Sequence, residues 1–528
     1  LKAPVDLLWN GGIGTYVKSS EETNADAGDK ANDNVRISAP ELRCRVVGEG
    51  GNLGFTQRGR IEFALEGGRI NTDAIDNSAG VDTSDHEVNI KILLGQVIAD
   101  GAMTRRQRDE LLAEMVDDVA VHVLEDNEAQ TRALYNAASQ ALSMVDVYAR
   151  VLAALERGGL NRELEFLPSD EELRARASAG HGLTMPEFAV VMAYAKSAIF
   201  ADLMGTDLAE DPYCSKELEL YFPAALRERH LEQLARHRLR REIILMRITN
   251  NMVNRSGTTF VFRLAEETGC STADVTRAHL AAWDMFGMHG LWSEIEALGS
   301  KVAGQVQVEL FLEARKLVER ASRWLLGHRR HPLDITATVS DFSAGLALLA
   351  DHLPGLVGPA EMAWQQSATN RYVAAGVPEP LARRVAELPE LFAGLDLSDV
   401  ARATSRDLED TASVYFALGE PLSLDWLLDR IVSLPRDDRW QALARAAVRD
   451  DLYSAWASIT AEVLRLGEPN QSGGEQVATW LAHVGSDADR RLVAIESIVS
   501  SGRADLAALS VALREIRNLV QASRPMSL

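Results

Sequence analysis

The sequence predicts an α/β region built on a parallel sheet, followed by a much longer array of helices. Three observations support this. Residues 1–94 alternate short apolar runs with a helix-like stretch and place glycine and asparagine where the runs end. From about Ser84 onward, helix-start signals recur. Apolar residues make up 46% of the 528-residue chain against 25% charged, a balance that supports packed cores rather than disorder.

Val5–Asn10 (VDLLWN), closed by Gly11-Gly12, has the pattern of a short buried strand. Arg43–Asn52 (RCRVVGEGGN) is a second run ending in glycines. A helix is expected from about Thr56 to Glu66, stopped by Gly67-Gly68, and Arg69–Gly80 (RINTDAIDNSAG) is expected to be a third strand. In an open parallel sheet, ligands bind beyond the carboxyl ends of the strands.

Ser84-x-x-Glu87, Thr104-x-x-Gln107, Ser169-x-x-Glu172 and Thr184-x-x-Glu187 have capping-box spacing. Leu112, Met115, Val116, Val119 and Val123 fall on one helical face. Gly158-Gly159 stops a run that starts near Thr131, and Leu160–Gly182 reads as a linker with one short helix. Further breaks are expected at Gly327–Asp334, Leu353–Pro359 and Gly467–Gln476. The resulting segmentation is 1–94, 95–330 and 331–528.

Acidic residues outnumber basic ones, 77 to 55, for a net charge of −22, which argues against binding nucleic acid or anionic lipid. No apolar run approaches the length of a membrane span. Cys44, Cys214 and Cys270 are too few and scattered for a disulfide framework or a cysteine zinc site, so a reducing cytoplasm is expected. The chain starts at Leu1, almost directly on a strand, and is read as part of a longer protein.

Two segments could carry chemistry. Gly48-Glu49-Gly50-Gly51-Asn52 ends a strand, where glycines let the backbone approach a ligand and Asn52 could offer an amide to a ribose or phosphate. The dinucleotide fingerprint fails, because Leu53 stands at its third glycine position, and taken alone the string reads first as a tight strand-to-helix turn. Asn77 to Glu87 (NSAGVDTSDHE) runs through small residues into a helix start, where backbone N–H groups attract anions. Ser84 there reads as an N-cap, a role compatible with donating its proton to a substrate carboxylate. His86-Glu87 lacks the second histidine of a zinc helix, since Ile90 occupies that position, and no metal ligand set is expected. The basic cluster from Arg236 to Glu242 is read as a solvated face with internal ion pairs, and Trp283, Trp292 and Trp324 as core.

Val46–Leu94 (VVGEGGNLGFTQRGRIEFALEGGRINTDAIDNSAGVDTSDHEVNIKILL) resembles the glutamate dehydrogenases, most of all their large bacterial NAD-specific class. Glu49-Gly50-Gly51-Asn52 matches that family's Glu-Gly-Ala-Asn segment, and Asn77-Ser78-Ala79-Gly80-Val81 with Ser84 and Glu87 matches its Asn-Ala-Gly-Gly-Val segment. PEFAVVMAYAK (Pro186–Lys196), LYFP (Leu220–Pro223), HRLRREI (His237–Ile243) and NNMVNRSGTTFVFRL (Asn250–Leu264) extend the similarity to about Leu325. The resemblance implies that residues 1–94 hold the late strands of a Rossmann-like dinucleotide-binding domain. It implies NAD as cofactor, bound by Gly50, Gly51, Asn52 and Asn77, with Asn52 near its ribose and Asn77 holding the nicotinamide carboxamide. Val81 and Ser84 would touch the substrate, Ser84 at the side-chain carboxylate of glutamate. The implied reaction is oxidative deamination of L-glutamate to 2-oxoglutarate and ammonia, by a homo-oligomer. The family's acid–base Lys and Asp match no motif here and are expected upstream, so this chain alone is expected to be inactive. Ser78, Ala79 and Gly51 depart from the general family pattern. Two other readings remain: a non-catalytic helical assembly or regulatory module, and a dehydrogenase of another amino acid. Ser84 favours an acidic side chain over an apolar one.

Overall fold

The computed structural model describes residues 1–436, 438–469 and 471–522. Two compact units divide the chain, Leu1–Arg277 and Ala278–Leu528. Helices dominate both, and the strands found among the described residues lie near the start of the first.

The strands of the first unit are β1 (Leu7–Asn10), β2 (Val17–Lys18), β3 (Ile37–Ser38) and β4 (Val46–Glu49). All pairing is parallel: β1 lies beside β4 with Leu7 opposite Val46, and β2 beside β3 with Val17 opposite Ile37. Val17, Val47, Phe55, Phe63 and Ile70 form the small core beneath them. β1 is not buried as expected. Leu8 packs on that core, but Leu7 and Trp9 point the other way, as alternation along a strand requires, and are exposed.

Helix α1 (Gln57–Leu65) falls where predicted, because Thr56 caps it by accepting from the Gly59 N–H at 3.0 Å. Gly67, at φ +92°, ends it. The third expected strand does not form. Arg69 makes one parallel bridge to Val46, after which the chain turns into α2 (Asp73–Asp76) and α3 (Ser78–Ala99). The Asp73 and Asp76 carboxylates divert it by accepting backbone N–H groups from Leu53 and Glu49.

α3 starts at Ser78, so Ser84 lies inside the helix and is not its N-cap. Thr83 and Ser84 donate back to the carbonyls of Ala79 and Gly80, at 2.7 and 3.2 Å, as interior hydroxyls do. Glu87 pairs with Lys91 instead.

Next come α4 (Arg105–Glu114), α5 (Val116–Ser139), α6 (Val145–Arg157), α7 (Asp170–Ser178) and α8 (Met185–Met204). The capping boxes at Thr104, Ser169 and Thr184 are present. α6 stops at Gly158-Gly159, and α7 is the one short helix of the expected linker. The single face predicted through Leu112–Val123 breaks at Met115, which is buried between α4 and α5 while Val116 is exposed.

The unit continues with α9 (Ser215–Tyr221), α10 (Ala224–Arg229), α11 (Leu231–Ala235), α12 (Arg240–Ser256) and α13 (Phe260–Thr268). The basic cluster pairs with other segments rather than within itself. Arg240 and Arg241 reach Glu210, and buried His237 meets the Asn89 carbonyl at 3.1 Å.

The second unit is helical, with the predicted breaks after His328, Leu356 and Leu466; Asn470, inside the last break, lies outside the described residues. Trp283, Trp292 and Trp324 are buried, as expected. Tyr415 and Trp456 stack at 4.2 Å, and the Trp456 indole donates to the Tyr415 carbonyl at 2.8 Å.

Asp425 and Glu361 meet beside Gly419, where an added Cβ would lie 3.1 Å from Asp425 Oδ2 and 3.4 Å from Glu361 Oε1. Burial, helped by Glu361 and Glu390, pushes the Asp425 carboxyl up from 3.8 to about 8. A group raised in the folded state stabilises below its unfolded pKa, and that contribution is lost as pH rises through the folded value. Thermal unfolding should therefore show the Asp425→Asn variant gaining on the parent between about pH 5 and about pH 8.5. An equal difference at both pH values would show that the pair does not share a proton.

Candidate functional site

The loop after β4 is organised by a buried guanidinium. Glu49, fully buried at the end of β4, accepts from Arg60 Nε at 2.6 Å and Nη2 at 3.0 Å. Arg60, on α1, also reaches Asp73 Oδ1 at 3.2 Å. Burial pushes the Glu49 carboxyl up, and the Arg60 guanidinium opposes it. Three backbone N–H groups close the loop onto this centre: Phe55 donates to Glu49, Glu49 to Asp76 and Leu53 to Asp73, at 3.1, 2.9 and 2.8 Å.

Inside this frame the glycines make close approaches. A Cβ on Gly51 would lie 2.6 Å from the Gly12 carbonyl oxygen, and one on Gly50 2.5 Å from the Trp9 ring. Leu53 adopts φ +62°, the left-handed region that a non-glycine residue enters only when its surroundings impose it. Asn52 thereby meets Asn77, whose Nδ2 donates to Asn52 Oδ1 at 2.5 Å.

Both asparagines line a cavity of about 630 Å³, shared with Val81, Asp82, Asp126 and Lys196. Asn77, Val81 and Ser84 lie at positions i, i+4 and i+7, one face of α3. Val81 is 74% exposed, and Ser84 is exposed one turn further along, outside the cavity lining. The structure thus brings Asn52, Asn77 and Val81 together beside the Gly50-Gly51 turn and leaves Ser84 on their face but apart.

The side of α3 turned to α5 carries residues that the sequence reading did not select. Asp82, part-buried, and His86, only 2% exposed, face α5, where His122 and Asp126 lie. Burial, aided by the Asp126 and Asp85 charges, pushes the Asp82 carboxyl up to about 7. Burial and neighbouring His122 push His86 down to about 4, so near neutrality its imidazole is uncharged and forms no ion pair with Asp82. His86 stacks on Tyr221 at 4.3 Å; Tyr221 donates to Asp85 and accepts from Asn89, each at 2.9 Å. Lys196, on α8, is pushed down to about 8 by burial against the pull of Asp126. The signal for these residues was present as two i, i+4 pairs, Asp82 with His86 and His122 with Asp126, but on two helices that only the fold juxtaposes.

Comparison with known proteins adds two family matches. "Bacterial NAD-glutamate dehydrogenase, catalytic domain" matches residues 1–137, and "Glutamate dehydrogenase, C-terminal" matches residues 180–518. The chain is 46% identical over 527 residues to an NAD-specific glutamate dehydrogenase of Pseudomonas aeruginosa. It is 43% and 42% identical over 525 residues to those of Mycobacterium tuberculosis and Halomonas elongata. Each alignment covers 99% of this chain and 32% of the relative, so the chain spans about a third of their length.

The buried ionic centre yields a direct test. Arg60→Met leaves Glu49 enclosed without its cation and should cost about 3–5 kcal/mol. Urea titration followed by hydrogen exchange in residues 46–77 measures it. A loss below about 1 kcal/mol, the worth of an exposed pair, would show that the centre does not hold the loop.

Proposed function

The chain belongs to the bacterial NAD-glutamate dehydrogenases, and from that membership we propose that it takes part in NAD-dependent oxidative deamination of L-glutamate to 2-oxoglutarate and ammonia. In this reading residues 1–94 are the late part of a Rossmann-like dinucleotide-binding domain, and residues 95–330 and 331–528 are the two parts of a helical region. The parallel pairing of β1 with β4, with a glycine turn at the strand end, supports the first assignment. NAD, when bound, supplies the nicotinamide ring that accepts the hydride.

The observation that carries the proposal is the Asn52–Asn77 bond at the cavity. With Asn77 Nδ2 given to Asn52, Asn77 Oδ1 is the atom that would accept from an amide donor such as a nicotinamide carboxamide. Gly50 and Gly51 let the turn pack tightly against Trp9 and Gly12, which sets Asn52 at the cavity where a ribose would lie. Exposed Val81 offers an apolar surface to substrate methylenes. Ser84, whose hydroxyl now donates to the Gly80 carbonyl, can rotate to donate to the side-chain carboxylate of glutamate. These residues orient reactants, and correct orientation alone removes several kcal/mol of barrier.

The same reading makes the protein a cytoplasmic homo-oligomer. The free thiols of Cys44, Cys214 and Cys270 fit a reducing compartment. No helix among the described residues is long and apolar enough to cross a membrane.

Tests belong in a polypeptide of the relatives' length that contains this chain. Ser84→Ala should raise KM for glutamate far more than KM for NAD, at a cost of about 1.5–3 kcal/mol for a hydrogen bond to a charged group. Unchanged kinetics would remove Ser84 from the substrate site. Asn77→Ala should chiefly lower kcat, because the nicotinamide loses its orientation. A kcat within about twofold of the parent, the scatter of an ordinary surface change, would make Asn77 a turn residue only.

A further inference from the structure

On its inner face, α3 presents Asp82 and His86 one turn apart, and α5 presents His122 and Asp126 with the same spacing. The two imidazole rings lie 5.8 Å apart between centroids. Ligand atoms of Asp82, His86 and Asp126 all lie within 4.8 Å of one another. His86 is almost completely enclosed, its Nε2 is 3.9 Å from Asp82 Oδ1, and its Nδ1 has no hydrogen-bond partner. Buried Nδ1 of His122 and Oδ2 of Asp82 also lack partners. Native interiors rarely leave so many polar atoms of one cluster unsatisfied. Lys196, Arg247 and Arg255 lie near enough to favour the Asp126 carboxylate, while Lys196 also reaches Gln130 at 3.4 Å and Arg247 also reaches Glu217 at 3.3 Å.

We propose that Asp82, His86, His122 and Asp126 form a binding site for one divalent transition-metal ion of the zinc class, which clips α3 to α5. Two imidazoles and two carboxylates suit such an ion. In a tetrahedral site with bonds of about 2.0–2.2 Å the ligand atoms lie about 3.4 Å apart, so the three groups now within 4.8 Å draw together by about 1 Å and His122 swings in as the fourth ligand. The stacking of His86 on Tyr221, and the bond from Tyr221 to Asp85, already fix the orientation of that ring, as outer partners do around metal ligands. The ion would sit on the α5 side of the cavity that Asn77 and Val81 also line, because Asp82 and Asp126 share that lining. Its role is to hold α3 in place against α5. The site does not depend on the glutamate dehydrogenase reading.

The test uses the whole chain after chelation, titrated with Co²⁺ and then with Zn²⁺. One equivalent of Co²⁺ should bind with a visible ligand-field spectrum that Zn²⁺ displaces. Asp126→Asn and His86→Gln should each weaken binding about 100-fold or more, since loss of even an outer partner costs about 10–100-fold. Independently of any variant, Zn²⁺ should slow hydrogen exchange in residues 78–99 and 116–139 of the parent chain. Absence of saturable binding overturns the proposal, as does stoichiometric binding that survives both substitutions or leaves exchange in those two helices unchanged.

Discussion

One enclosed guanidinium holds the candidate site together. Arg60 is locked between Glu49 at the end of a strand and Asp73 at the start of a one-turn helix. An ion pair with so little solvent contact adds modestly to stability, but removing one partner strands the other charge. It therefore acts as a constraint on geometry. The carboxylates that surround Arg60 also take the backbone N–H groups of Phe55 and Leu53. The loop between them has little freedom left, and Leu53 accepts a left-handed conformation as a result. Asn52 is delivered to Asn77 by that closure.

From Asn77 the arrangement passes to α3, whose two faces do different work. The outward face repeats Asn77, Val81 and Ser84, a row of small or polar groups open to a ligand. The inward face buries Ile90, Leu93, Leu94 and Val97 further along, and near its start carries Asp82 and His86 toward α5. A rotation of α3 about its axis would displace both rows together. Whatever satisfies the inner cluster therefore also sets the angle at which Asn77 and Ser84 are presented.

Much of this was legible in the residues where a local rule decides the outcome. Thr56 and Gly67 bracket α1, and Thr104, Ser169 and Thr184 cap their helices, because each signal acts within one turn of chain. Ser84 carried the same spacing and was misread: a hydroxyl bonding back to a carbonyl and a hydroxyl capping a helix look alike in sequence. Arg69–Gly80 was expected to be a strand, because its diversion into helix depends on Asp73 and Asp76 finding donors in a loop some twenty residues earlier. The pairing of Glu49 with Arg60, and of Asp82 and His86 with Asp126, likewise depends on tertiary packing that no period along the chain reveals. Asn52 stood out at the end of the glycine string, the role of Asn77 came from the family resemblance, and the fold adds that the two amides bond each other.

In the proposed glutamate dehydrogenase reading, Arg60 acts on catalysis through the Asn52–Asn77 pair. A double-mutant cycle measures it, with Arg60→Lys and Asn77→Ala made singly and together in the relatives' full-length context and kcat read at saturating glutamate and NAD. If Arg60 works by placing Asn77, the double variant should be scarcely slower than Asn77→Ala alone, with a coupling energy above about 0.5 kcal/mol. Effects of the two substitutions that simply multiply would contradict the account.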